Sequence, residues 1–234
     1  MSASWLAFWD TSHSIYVNAR HRDVHYRLIA TEIAQLVPGG SARVLDYGSG
    51  EALHAEIVAA AAGELFLCDG ASGLRKQLAA RFAGEPKIRC LSPQDVEALP
   101  ERILDLIVLH SVAQYLTPDE ADKLLALFHR LLRAGGILVV SDIIPPTTAA
   151  ATDALALLRF AAANGFLSAA IVGLVRTRLS AYWQIRRRVG LTRYDETAMI
   201  AKLAASGFAA RRAPRNIGHN QSRMTFVARA RPPS

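Results

Sequence analysis

Residues 43–56 read RVLDYGSGEALHAE. Val44 and Leu45 open a short apolar run that Asp46 closes, and the spacing predicts a strand over Val44–Tyr47. Gly48-Ser49-Gly50 follows, two glycines able to turn tightly and let a ligand approach the backbone. The Ala-rich stretch Glu51–Ala62 then reads as a helix. A strand, a glycine turn and a helix bring backbone N–H groups and the positive end of a helix dipole against a nucleotide-like ligand.

Working outward, the same rhythm repeats. Leu65–Cys68 is expected as a second strand, ending at Asp69-Gly70, and Ser72–Phe82 as a helix with Ser72 as its N-cap. Ile88–Leu91 is a third strand, and Leu104–His110 a fourth, apolar enough for burial on both faces. Thr117 caps an amphipathic helix, Pro118–Leu132, which Gly135-Gly136 ends; Ile137–Ile144 is strand five, stopped by Pro145-Pro146. After a long Ala-rich interruption come a helix, Thr197–Ala205, and two strands, Phe208–Ala213 and Met224–Arg229. Their connection, Pro214–Arg223, suits a hairpin better than a crossover. Upstream, apolar spacing predicts a helix over Val24–Val37, ended by Pro38-Gly39-Gly40. The expected class is α/β, a doubly wound and mostly parallel sheet.

The glycine turn alone is ambiguous. A dinucleotide fingerprint would place a third glycine where Leu53 stands, and no Tyr-x-x-x-Lys pair exists. Both count against a nicotinamide-dependent oxidoreductase, which stays as an alternative. Asp69 lies 23 residues after Asp46, at the end of the second strand. A carboxylate there accepts hydrogen bonds from two ribose hydroxyls. Asp95, in SPQDVEALP (residues 92–100), sits on the same carboxyl edge, either facing an adenine or capping a short helix.

In order and spacing, VLDYGSGEA (44–52), LCDGA (67–71), PQDVEALP (93–100), LDLIVLHSVAQYL (104–116) and LLRAGGILVVSD (131–142) resemble the class I S-adenosylmethionine-dependent methyltransferases. The resemblance covers about residues 43–146 and, more loosely, the final strand pair. It implies a Rossmann-like sheet of seven strands with an antiparallel last strand, S-adenosylmethionine as cofactor, and direct in-line methyl transfer to a small acceptor. Carried over residue by residue, Asp46, Gly48 and Gly50 surround the methionine part. Asp69 and Gly70 hold the ribose, Asp95 and Val96 contact adenine, and His110 and Ser111 lie under the sulfonium. Many members have glycine where Ala52 stands here.

The remaining segments are read as substrate machinery. Residues 1–40 form an N-terminal helical lid, 41–146 the cofactor-binding core, 147–192 a helical cap and 193–230 the last helix with the strand pair. The leader is rich in aromatic and polar rings: Trp5, Phe8, Trp9, His13, Tyr16, His21, His25 and Tyr26. Tyr16 is placed on the cofactor. His21, His25 and His110 are the candidate catalytic residues, since histidine titrates near neutrality and His21 and His25 share a helix face. His219, Asn220 and Arg223 are expected to touch substrate. No metal spacing is present. An apolar cap favours an apolar or aromatic acceptor.

Charge is segregated: residues 1–146 carry −4 and residues 147–234 carry +11. The basic half suggests an anionic substrate, an anionic membrane surface or nucleic acid. No nucleic-acid recognition motif accompanies it. The apolar run Phe160–Val175, followed by Arg176, Arg178 and Arg186–Arg188, favours peripheral membrane contact over a span. The N-terminus lacks a secretory pattern, and Cys68 and Cys90 fall in strands as reduced, buried thiols, so a cytoplasmic protein is expected. A non-catalytic cofactor-binding or membrane-surface protein is the second alternative. The tail from Arg231 is expected to be disordered.

Overall fold

The computed structural model describes residues 16–177 and 190–231. Trp5, Phe8, Trp9, His13, Arg178, Arg186–Arg188 and the tail residues Pro232–Ser234 lie outside the described residues.

Seven strands form one sheet: β1 Arg43–Tyr47, β2 Glu64–Cys68, β3 Ile88–Leu91, β4 Leu104–His110, β5 Leu132–Ile143, β6 Phe208–Arg212 and β7 Met224–Ala230. Their order is β3-β2-β1-β4-β5-β7-β6. β1 to β5 pair in parallel, and β7 runs antiparallel between β5 and β6. The hairpin expected over residues 208–229 thus inserts its second strand beside β5. β1 and β4 are adjacent although β2 and β3 intervene in sequence, so the winding reverses there. Their carboxyl ends open the crevice in which ligands of such sheets bind.

Helices cover both faces. α1 (Ala19–Ala34), α2 (Ala55–Ala61) and α3 (Ser72–Arg81) lie on one face, where Ile33, Val58 and Leu78 meet Val44, Leu65 and Leu106. α4 (Pro93–Glu97), α5 (Pro118–Leu131) and α8 (Glu196–Ala205) lie on the other, where Val96, Phe128 and Leu203 pack with Leu45, Ile107 and Phe226. α6 (Ala150–Asn164) and α7 (Leu167–Thr177) share a small separate core with α1, made of Val24, Ala161, Phe166 and Ala170.

Several element ends differ from the sequence expectation, each for a local reason. α1 starts at Ala19 rather than Val24, because the Asn18 side chain accepts from the His21 N–H at 2.8 Å and caps a polar first turn that hydrophobic spacing does not register. It ends at Ala34, before Pro38. α3 is capped by Ala71, not Ser72. α4 is capped by Ser92, with Asp95 at the third position of a reciprocal capping box. Gly135 and Gly136 do not end α5; they fall inside β5, where the register with β4 shifts. Cys68 is fully buried, whereas Cys90 is half-buried.

Candidate active site

The glycine turn is held from below. Gly48 and Ser49 donate their N–H groups to the Cys68 carbonyl at 2.7 and 3.0 Å. Gly48 has φ +78°, and a Cβ there would lie 2.3 Å from Val112 Cγ2. Gly50 has φ +60°, and a Cβ there would lie 2.8 Å from the Tyr26 hydroxyl. Ala52 and His54 also adopt positive φ, +43° and +68°. Four left-handed residues in seven keep the backbone coiled as a cradle, so α2 begins at Ala55, not at Glu51.

Asp69 ties this cradle to the next strand. Its carboxylate accepts from the Gly50 N–H at 3.1 Å and the Ala71 N–H at 2.9 Å. The Arg75 guanidinium donates to the Asp69 and Gly70 carbonyls. Burial raises the Asp69 pKa, and the two amides and Arg75 oppose the rise. Each carboxylate oxygen keeps lone-pair capacity for a ligand hydroxyl. Asp46 is pushed up to about 7, first by burial and then by the negative charge of Asp69.

α1 lays rings over the turn. The Tyr26 hydroxyl accepts from the Glu51 N–H at 3.0 Å and is hydrogen-bonded to Tyr16. Burial raises both phenols, Tyr26 to about 12. Tyr26 contacts the turn directly, although its sequence context marked it only as one ring of a cluster. His21 stacks on Phe166 (ring centroids 4.9 Å apart) and His219 stacks on Phe160 (4.6 Å). His25 lies 6.0 Å from His21 and 5.9 Å from His219.

Burial lowers the pKa of His21 to about 4 and lowers those of His25, His110 and His219, so these imidazoles are neutral at pH 7. His21 Nδ1 accepts from the Val17 N–H, which leaves the proton on Nε2. His110 Nδ1 pairs with Ser141 Oγ at 2.9 Å. His25 Nδ1 is buried with no partner. No metal-holding group of three His, Cys, Asp or Glu occurs among the described residues.

The β6–β7 connection folds inward rather than into solvent. Asn216 is its hub: its side chain accepts from the Asp142 N–H and the Thr225 hydroxyl, and donates to the Ile217 and Asn220 carbonyls. Ser111, at φ +58°, donates its hydroxyl to Asp142. Gly218 N–H donates to Glu32 of α1 at 2.6 Å. Arg223 grips Asp153 of α6 through Nε (3.2 Å) and Nη2 (2.8 Å), and the Asn220 amide donates to the same carboxylate. Hub polarity of this kind carries no periodic signal, so Asp142, Asp153 and Asn216 were not legible beforehand.

These parts enclose a recess of about 1090 Å³. That exceeds the usual single-ligand site and leaves room for two ligands. Tyr16, Asp46, Gly48, Gly50, Asp69, Gly70, His110 and Ser111 all line it, as do His21, His25, His219, Asn220 and Arg223. Asp95 and Val96 do not; the Asp95 carboxylate is taken up by Ser92, and Val96 is fully buried in the core. Pro93, Gln94 and Glu97 stand at the recess instead. Among the described lining residues, six carboxylates (Asp46, Asp69, Glu97, Glu120, Asp142, Asp153) face three cations (Arg75, Lys123, Arg223). Among the described lining residues, carboxylates therefore outnumber cations.

Residues 45–140 match the family profile described as a methyltransferase domain. Over that stretch the chain is similar to methyltransferase domains. A 109-residue stretch is 34% identical to a probable non-canonical nonribosomal peptide synthetase, CymA, of Salinispora arenicola; it covers 44% of this chain and 1% of that protein's length. The fold is similar to the YcgJ protein of Bacillus subtilis, at TM-score 0.61 and 12% identity over 89% of this chain and all of that one. It is also similar to a magnesium protoporphyrin IX methyltransferase of Synechocystis solved with bound SAH, at TM-score 0.59 and 16% identity over 97% and 92% of the two chains.

Proposed function

We propose that this chain is a cytoplasmic S-adenosylmethionine-dependent methyltransferase acting on a small apolar or aromatic acceptor. The observation that carries this reading is Asp69 at the end of β2, its carboxylate accepting from the Gly50 N–H of a glycine turn that lines the recess. An acidic acceptor at the end of β2 suits a ribose diol, and the glycines of the turn suit close approach of a ligand to the backbone. The orphaned Ser49 hydroxyl in the same turn offers one more contact. The excess of carboxylates around the recess favours a cationic cofactor.

When bound, the cofactor supplies an electrophilic methyl carbon. The chain's own task is to position the acceptor, exclude water and take up a proton. α1, α6 and the inward loop wall off the recess. We assign proton uptake to His25, whose unpartnered Nδ1 accepts a proton when the neutral ring carries its own on Nε2, rather than to His21, whose remaining nitrogen carries a proton. Because burial makes His25 a weak base, uptake belongs with methyl transfer, not before it. Calorimetric titration with S-adenosylhomocysteine tests the reading. Wild type is expected to bind, and Asp69→Ala to lose roughly tenfold or more for the missing charged hydrogen bonds. Absence of binding by wild type rejects it.

A second reading concerns the surface. α7 exposes Leu167, Ile171, Val172 and Val175, and the part of the chain from residue 147 onward carries +11. Both features support contact with an anionic membrane. Among the described residues no helix is long and apolar enough to cross one.

A further inference from the structure

Arg223 is buried at 8% exposure, lines the recess, and holds Asp153 with two of its three nitrogens. Its third, Nη1, is buried without a partner. An unpaired buried guanidinium N–H is costly, and this one belongs to a residue of the recess wall. Of the buried side-chain polar atoms without partners, three belong to residues that line this recess: Ser49 at the cradle, and His25 and Arg223 towards the cap. Asp153 fixes the guanidinium plane by a forked contact and is itself held by Asn220, so the direction of the spare N–H is set by the fold.

The charge balance decides what the acceptor is. Arg223 is already paired with Asp153, and the negative charge of Asp142 reaches the neighbouring His219, where it opposes the fall in pKa that burial causes. A carboxylate brought here would meet two like charges and find no uncompensated cation, while losing its own hydration. A carbonyl oxygen needs only the spare donor. The surrounding rings of Tyr16, His25 and His219 provide flat, uncharged walls.

We infer that the acceptor substrate is an uncharged aromatic molecule bearing a carbonyl oxygen, and that Arg223 Nη1 receives that oxygen. This rests on the methyltransferase reading, since the substrate is taken to share the recess with the cofactor. The test uses protein saturated with S-adenosylhomocysteine and three probes of one shape: 4-hydroxyacetophenone, 4-hydroxybenzoate and 4-ethylphenol. Binding is followed by calorimetry or ligand-observed NMR.

Wild type is expected to prefer the ketone over both others by roughly tenfold. Arg223→Met should erase the preference over 4-ethylphenol. The wild-type ranking needs no variant, so misfolding of Arg223→Met does not protect the idea. Equal or tighter binding of the benzoate overturns it, as does a preference that survives in Arg223→Met, or failure of all three probes while S-adenosylhomocysteine binds. Failure of S-adenosylhomocysteine itself overturns the methyltransferase reading and this inference with it.

Discussion

Asp46 has a pKa near 7 because the fold strips it of water and sets it beside Asp69. The linkage sign follows from the direction. A carboxyl whose folded pKa lies above its ordinary value of 3.8 favours the protonated folded state, so stability falls as pH rises between about 4 and 7 and the loss is complete above 7. A cationic group of a cofactor placed against Asp46 reverses this by favouring the carboxylate. Binding of S-adenosylhomocysteine at pH 7 is then expected to release about half a proton, read from the dependence of calorimetric heat on buffer ionisation enthalpy. Asp46→Asn should abolish the release, weaken binding above pH 7, and raise Tm of the free protein there. An unchanged proton release in that variant would remove Asp46 from the site.

At the scale of the strand–turn–helix element, the cradle depends on a sequence of positive φ values more than on the glycine motif as such. Gly48 meets both conditions that exclude a side chain, since φ is +78° and Val112, a stiff β-branched residue, occupies the Cβ position. Gly48→Ala is expected to cost about 3 kcal/mol in urea denaturation, from left-handed strain and overpacking together. Measured against Val112→Ala alone, the same glycine substitution should lose the overpacking part and cost only about 1 kcal/mol of strain. Ala52 shows why the motif was only partly legible: alanine stands at φ +43° where the resembling family has glycine, so identity and conformation part company. The strands were legible because β4 and its neighbours are continuous apolar runs, and the final hairpin because its connection is short. The start of α1 was not, because its first turn is capped by Asn18 and buries His21, a polar residue. Tyr26 was visible as an aromatic but not as the acceptor for Glu51, since that contact joins residues 25 apart.

For the whole molecule, charge and apolar surface are divided between opposite tasks. The recess collects carboxylates, whereas the sequence from residue 147 onward carries a basic excess. On α7, Ile171 and Val172 are about half exposed and Val175 is 68% exposed, on a helix whose inner side packs Ala170 against α1 and α6. A helix that already buries one side has no need of exposed branched aliphatics on the other, and such a patch in a part of the sequence that is strongly basic fits an anionic lipid surface. The protein is expected to co-sediment with vesicles containing phosphatidylserine and to stay in the supernatant with pure phosphatidylcholine. Raising the salt to about 0.5 M should release much of it, because the Debye length contracts to roughly 4 Å. Ile171→Asp with Val175→Asp should abolish sedimentation without moving the affinity for S-adenosylhomocysteine, since both residues lie outside the recess. Sedimentation equal on neutral and anionic vesicles would assign the contact to the apolar patch alone, and none on either would leave the patch without a lipid role.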